Sequence, residues 1–221
     1  MTARRTPGAP ARRHGDAGFT VTEFVVAMGA LSVLLTVFLL TVRVMASTAT
    51  RVQSVADTST QGRQALDRFS RQISYASAVN LPVSVVPSDR PASTEGAAWY
   101  LELFSEAVLN GGTSTCTQWR LLPVSDRLQV RTWNVVTWTP SAWTTVAQPV
   151  VNDPVTQPPF AVAGTDTTFQ LVRVGVDLRI RNRTGPVLQS QSQYTIRNSV
   201  DAPTPSAAAV CAHPSTGQVS R

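Results

Sequence analysis

The chain contains no lysine. All nineteen of its basic residues are arginine, which reads as coding bias of the kind a GC-rich genome imposes before it reads as function. Histidine and cysteine are almost absent too, with His14 and His213, Cys116 and Cys211. A metal centre needs three or four converging ligands. His213 near Cys211 has no second cluster to complete one. There is no Gly-rich phosphate loop, no Gly-x-Ser-x-Gly and no His-Glu-x-x-His. Paired carboxylates such as Glu102 and Glu106 stand without catalytic company. The chain is therefore expected not to be an enzyme and to use no cofactor.

Helix breakers are also missing over a long span. No proline occurs between Phe19 and Leu81, and Gly29 and Gly62 are the only glycines there. Phe24 to Val42 holds no charge at all. Nineteen residues at the α-helical rise reach about 28 Å, close to the hydrocarbon thickness of a bilayer. Further on, Leu66, Phe69, Ile73 and Ala76 recur at spacings of three and four, one apolar stripe of an amphipathic helix. Asp67, Arg68 and Arg71 lie off that stripe, and Pro82 marks a stop. The pattern predicts one helix from about Phe19 to Val79, apolar all round in its first half and one-sided in its second.

From residue 83 the texture turns to β. Trp99–Phe104, Gln118–Val124, Arg127–Trp138, Phe169–Asn182 and Gln191–Asn198 are rich in β-branched and aromatic residues, and turn-forming residues separate them. In the clearest strand Val172, Val174, Val176, Leu178 and Ile180 alternate with Arg173, Asp177, Arg179 and Arg181. Asn152–Phe160 carries three prolines and reads as a loop. The expected fold is α+β: a long N-terminal helix, transmembrane and then amphipathic, packed on an antiparallel sheet. Segments follow as 1–18, 19–45, 46–80, 81–202 and a tail, 203–221.

Half of the net charge of +6 sits in residues 1–18, where Arg4, Arg5, Arg12 and Arg13 outnumber Asp16. Positive charge just before an apolar run holds that end on the cytoplasmic side. A carboxylate follows almost at once, Glu23, although an acid at a membrane-helix centre costs about 2.5–3.5 kcal/mol on insertion scales. The fragment GFTVTEF, Gly18 to Phe24, resembles the processing site of type IV prepilins. That resemblance implies cleavage between Gly18 and Phe19 by prepilin peptidase on the cytoplasmic face and N-methylation of Phe19. It also implies pairing of Glu23 with the freed amine of a neighbouring subunit. QGRQALDRFSRQISYA resembles PilW-like minor pilins and the J-type minor pseudopilins of type II secretion, as does the late Arg197-Asn198. The partners implied are prepilin peptidase, other pilin or pseudopilin subunits and the inner-membrane assembly platform. A single helix would sit in the cytoplasmic membrane with the leader inside and the domain exported, before release into a surface or periplasmic filament.

Two cysteines in an exported domain allow one intramolecular disulfide, Cys116–Cys211. Two small unrelated hydrophobes are the alternative. Arg173, Arg179, Arg181 and Arg183 share one strand face that could meet DNA phosphates or anionic headgroups, which gives a second reading as a filament-borne adhesin or DNA receptor. The plainer account is a solvated face that blunts a sheet edge. Trp133, Trp138 and Trp143 read as core or partner interface before they read as a stacking site. A third reading is an ordinary secreted protein, with Val44 and Ala46 before a signal peptidase cut, or small residues up to Ala49. The length of the apolar run and its acid oppose it.

Overall fold

The computed structural model describes residues 20–90, 92–107, 112–153, 155–163, 171–182, 185–196 and 211. The chain divides into two compact units at Ala49 and Thr50.

The first unit is the leading part of α1 (Val21–Ser74). Its apolar side chains are open on every side: Leu34 is 67% exposed, Phe38 63% and Leu39 61%. No polar face interrupts them. The hydroxyls of Ser32, Thr36 and Thr41 bond back to carbonyls three or four residues earlier, so they add no unmet donor to this surface. By length and composition this is a helix able to cross a membrane.

In the second unit α1 becomes one-sided. Thr58, Gly62, Ala65, Phe69 and Ile73 are buried along one stripe, the spacing an amphipathic helix needs. Leu66 is only partly buried and packs at the rim of the core. The helix stops at Ser74 and not near Val79. Tyr75 and Ala76 donate to the carbonyls of Gln72 and Ile73, a tightened last turn, and Ser77 and Asn80 then donate to Phe104 and Glu102. Sheet pairing captures this stretch before the next helical turn can form.

The strands it joins are β1 (Ala78–Val79), β2 (Val83–Val85), β3 (Ala98–Ser105), β4 (Thr115–Leu122), β5 (Arg127–Asn134) and β6 (Thr144–Ala147). They form an antiparallel sheet in the order β1-β3-β4-β5-β6, with β2 also pairing with β3. A short helix, α2 (Ala92–Glu95), lies between β2 and β3. A second antiparallel sheet runs β7-β8-β9 (Phe160–Ala163, Val172–Ile180, Leu188–Ile196). The fold is thus α+β, as expected.

One core serves α1 and both sheets. Phe69 meets Trp119 edge-on at 5.2 Å, Phe160 at 6.1 Å and Tyr194 at 5.5 Å. Burying a ring of this size contributes about 1.5–3 kcal/mol. Trp119 Nε1 donates to Gln72 Oε1 at 2.7 Å, and the Tyr194 hydroxyl donates to the Leu66 carbonyl at 3.1 Å. The sheets are also tied by backbone after β6: Val151 N donates to Arg179 O, and Arg181 N to Pro149 O. Asn152 extends the tie, its Oδ1 accepting from Arg179 N and its Nδ2 donating to Asp177 O. In its described residues, 152–153 and 155–159, the proline-rich stretch is a loop, and Phe160 opens β7.

Candidate assembly site

Gly18 and Phe19 lie outside the described residues. The described chain opens on Thr20, which caps α1. Its carbonyl accepts the first intrahelical bond, from Phe24 N at 3.2 Å. Its hydroxyl accepts from Glu23 N at 3.3 Å and donates to Glu23 Oε2 at 3.0 Å, while its own N–H donates to the same oxygen at 3.1 Å. This is the reciprocal capping box that the Thr-x-x-Glu spacing allows. Otherwise orphaned helix donors are satisfied by it, and the negative carboxylate sits where the helix dipole favours it. Oε1 of Glu23 has no partner among the described residues. Among the described residues, an uncharged, open helix is therefore headed by one carboxylate that uses one of its two oxygens.

The other expected site residues do not gather around it. Arg173 is exposed and Arg179 half-buried on β8, while Arg181 is exposed just past the strand. Arg183 lies outside the described residues. Asp177 falls between them in the row, and Gln189 Nε2 donates to its Oδ2 at 2.8 Å. The row is thus not uniformly positive. Nor does it blunt an edge, because β8 is the central strand, paired with β7 on one side and β9 on the other. Cys116 and Cys211 form the expected disulfide. The tryptophans divide: Trp133 and Trp138 pack around that bond, while Trp143 covers a different part of the sheet. Among the described residues no three His, Cys, Asp or Glu side chains converge as metal ligands, and His14 and His213 fall outside them.

One constellation escaped the sequence reading. On the sheet face turned away from Trp119, Glu102, Gln118, Arg120, Gln129 and Arg131 are all buried. Gln118 Nε2 donates to Glu102 Oε1 at 3.0 Å, and Arg131 donates to Gln118 Oε1 through Nε at 2.9 Å and Nη2 at 2.7 Å. Arg120 donates to Gln129 at 2.9 Å and grips Asp89 through both terminal nitrogens, at 2.7 and 2.9 Å. Trp143 lies against both guanidinium groups, 3.9 Å from that of Arg120 and 4.3 Å from that of Arg131. The Arg120 bond holds the Asp89 carboxyl below its ordinary range. Burial pushes the Tyr100 phenol up, and burial with the neighbouring Arg120 charge pulls Arg131 down. Glu102, Gln118, Arg120, Gln129 and Arg131 are each bonded to another member of the layer, and Arg120 also to Asp89, as a structural network requires. The buried Tyr100 hydroxyl beside them has no hydrogen-bond partner among the described residues. Polar residues at period two look like a wetted face in sequence; Trp143 and Asp89, brought in from outside these strands, make them an interior.

No protein-family model, curated protein or solved structure matches the chain.

The arrangement at the head of α1 can accept a cation. Among the described residues it consists of the Glu23 carboxylate and the hydroxyls of Thr20 and Thr22 at the end of an apolar helix, an arrangement suited to ionic pairing.

Proposed function

We propose that the chain is a structural subunit of a type IV pilus-like filament, a minor pilin or pseudopilin. Prepilin peptidase cuts it between Gly18 and Phe19, and Phe19 is N-methylated. It then enters a filament used in assembly priming, adhesion, DNA uptake or secretion. Other pilin subunits and the inner-membrane assembly platform are its partners.

The observation that carries this reading is Glu23. Its carboxylate stands at the start of a charge-free, outward-facing helix, with one oxygen committed to Thr20 and the other without a partner among the described residues. Cleavage would leave each neighbouring chain with a new α-amine at the head of an equally apolar helix. Buried opposite charges of this kind add little net stability, but removing one is costly, so the pair enforces register between subunits. The secreted-protein alternative fares worse. A signal peptidase cut near Ala46 or Ala49 would fall inside α1, which is unbroken from Val21 to Ser74. Its amides are already bonded within the helix, whereas a peptidase reads extended backbone.

Co-expression with prepilin peptidase and N-terminal sequencing test the first step; the mature chain should begin at Phe19. A start near residue 47 or 50, or a retained arginine leader, would sink the proposal. Glu23→Ala should then leave the chain processed but reduce its recovery in sheared filaments at least about tenfold, a loss of roughly 1.4 kcal/mol or more per subunit contact.

A further inference from the structure

The disulfide is the centre of its own small aromatic cluster. Cys116, Trp133 and Cys211 are buried together, with Phe104, Val135 and Trp138 packed around them, and none of these residues belongs to the main core. Cys116 sits on β4 between Phe104 of β3 and Trp133 of β5, its direct cross-strand neighbours. It is wholly buried, and Cys211 is 2% exposed. Cys211 follows the last described strand, so its partner is built into a sheet of sequence-adjacent hairpins 95 residues earlier.

Thiol–disulfide exchange needs a thiolate to approach a sulfur in line with the S–S bond. Neither sulfur is open to that approach in the closed cluster. From this we infer a sequence of events: the bond is made by exchange before the aromatic cluster closes, Cys211 takes up the incoming disulfide, and Cys116 completes the bond. Closure then shuts it off from reductant.

The chemistry balances with a disulfide as the oxidant, either a small molecule such as oxidised glutathione or a protein dithiol carrier in its oxidised form. The Cys211 thiolate attacks one sulfur of that disulfide, forming a mixed disulfide and releasing the other sulfur as a thiolate, which takes up a proton. The Cys116 thiolate then attacks the Cys211 sulfur of the mixed disulfide, forming Cys116–Cys211 and releasing the second oxidant thiol. Two electrons and two protons pass from the pair to the oxidant. Cys211 is assigned the first step because Phe104 and Trp133 flank Cys116 across the strands as soon as β3, β4 and β5 pair, before Cys211 closes over it, and a bulky mixed disulfide on Cys116 would have to fit between them.

The full chain in detergent micelles tests both parts. Reduction by dithiothreitol, followed by alkylation and intact mass, should be about a hundredfold slower in native buffer than in denaturant, the retardation expected when opening of a local cluster must precede attack. Trp133→Phe should speed the native reaction about tenfold and leave the denatured rate unchanged. Exposed to oxidised glutathione, Cys116→Ser should accumulate the mixed disulfide on Cys211 at least about tenfold faster than Cys211→Ser does on Cys116. Equal native and denatured reduction rates would overturn the shielding, as would a Trp133→Phe variant with the parent rate. Equal reactivity of the two single-thiol variants would overturn the order of attack. None of these results depends on processing at Gly18, so the inference and the proposed function fail separately.

Discussion

Asp89 and Arg120 share one ion pair unequally between water and the interior. The Arg120 side chain is 1% exposed and that of Asp89 43%. Arg120 cannot discard its charge, so Asp89 is what compensates a guanidinium already removed from solvent. Asp89→Asn keeps the shape and loses the counter-charge. It should cost about 1–2 kcal/mol, less than a fully buried pair because water still screens the carboxylate side. The pH dependence follows from the sign of the shift. Arg120 lowers the folded-state pKa of Asp89, so the stabilisation is complete above the unfolded carboxylate value of about 3.9. It disappears as pH falls below that towards the folded value. Denaturant melts of parent and variant should differ by a constant amount above about pH 5 and converge in stronger acid. Convergence starting near neutrality would mean that another group is responsible. Thr20 admits a parallel test at the other end of the chain. Thr20→Val removes the capping hydroxyl and should raise amide exchange at Glu23 about fivefold in micelles, the equivalent of about 1 kcal/mol, with Thr20→Ser near the parent.

Gly62 shows at the scale of an element what sequence alone conceals. Within a helical pattern it counts only as a cost of about 1 kcal/mol relative to alanine. Placed on β8 and β9, a Cβ at this position would stand 2.7 Å from Ser190 Oγ and 3.4 Å from Ile180 Cδ1. The missing side chain is what lets α1 approach the sheet. The Ser190 hydroxyl can rotate aside, but Ser190 Cβ and Ile180 Cδ1 at 3.4 Å leave little slack. Gly62→Ala should therefore forfeit most of its gain in helix propensity, about 1 kcal/mol, and come out near neutral. In a Ser190→Ala background the same change should become more favourable, since no hydroxyl has to move aside. Equal effects in both backgrounds would mean that α1 does not pack on β9 in this register. The helix itself was legible from its lack of breakers and its stripe, and β8 from its strict alternation. The 2–4-residue strands β1, β2, β6 and β7 were not, because segments that short have no period of their own and exist only by pairing with β3, β5 and β8. The end of α1 was misjudged for the same reason, as β3 competes for Ser77 to Asn80. Of the candidate site, Thr20 and Glu23 could be read at capping-box spacing, and two cysteines fixed their own pairing. The Arg120–Arg131 layer could not be read, because its cover comes from residues 31 positions before Arg120 and 12 after Arg131.

On the scale of the whole molecule, the disulfide and the main core are separate sources of stability, and this division has a measurable signature. The bond joins positions 95 residues apart, and the chain-entropy model assigns about 4–5 kcal/mol to a loop of that length, a value that real proteins commonly undershoot. The core of α1 and the two sheets contains neither cysteine. Removing the bond should therefore lower stability without dissolving the fold. Cys116→Ala/Cys211→Ala is expected to lose about 2–4 kcal/mol while keeping the parent far-ultraviolet spectrum and the near-ultraviolet band of the packed Phe69–Trp119 pair. Most of the effect acts on the unfolded chain, which the bond holds compact. Without it the denatured state expands and exposes more surface, so the denaturant slope m should rise as the midpoint falls. A lower midpoint with an unchanged slope would place the cost in the folded state, among Phe104, Trp133 and Trp138, rather than in the freedom of the opened loop.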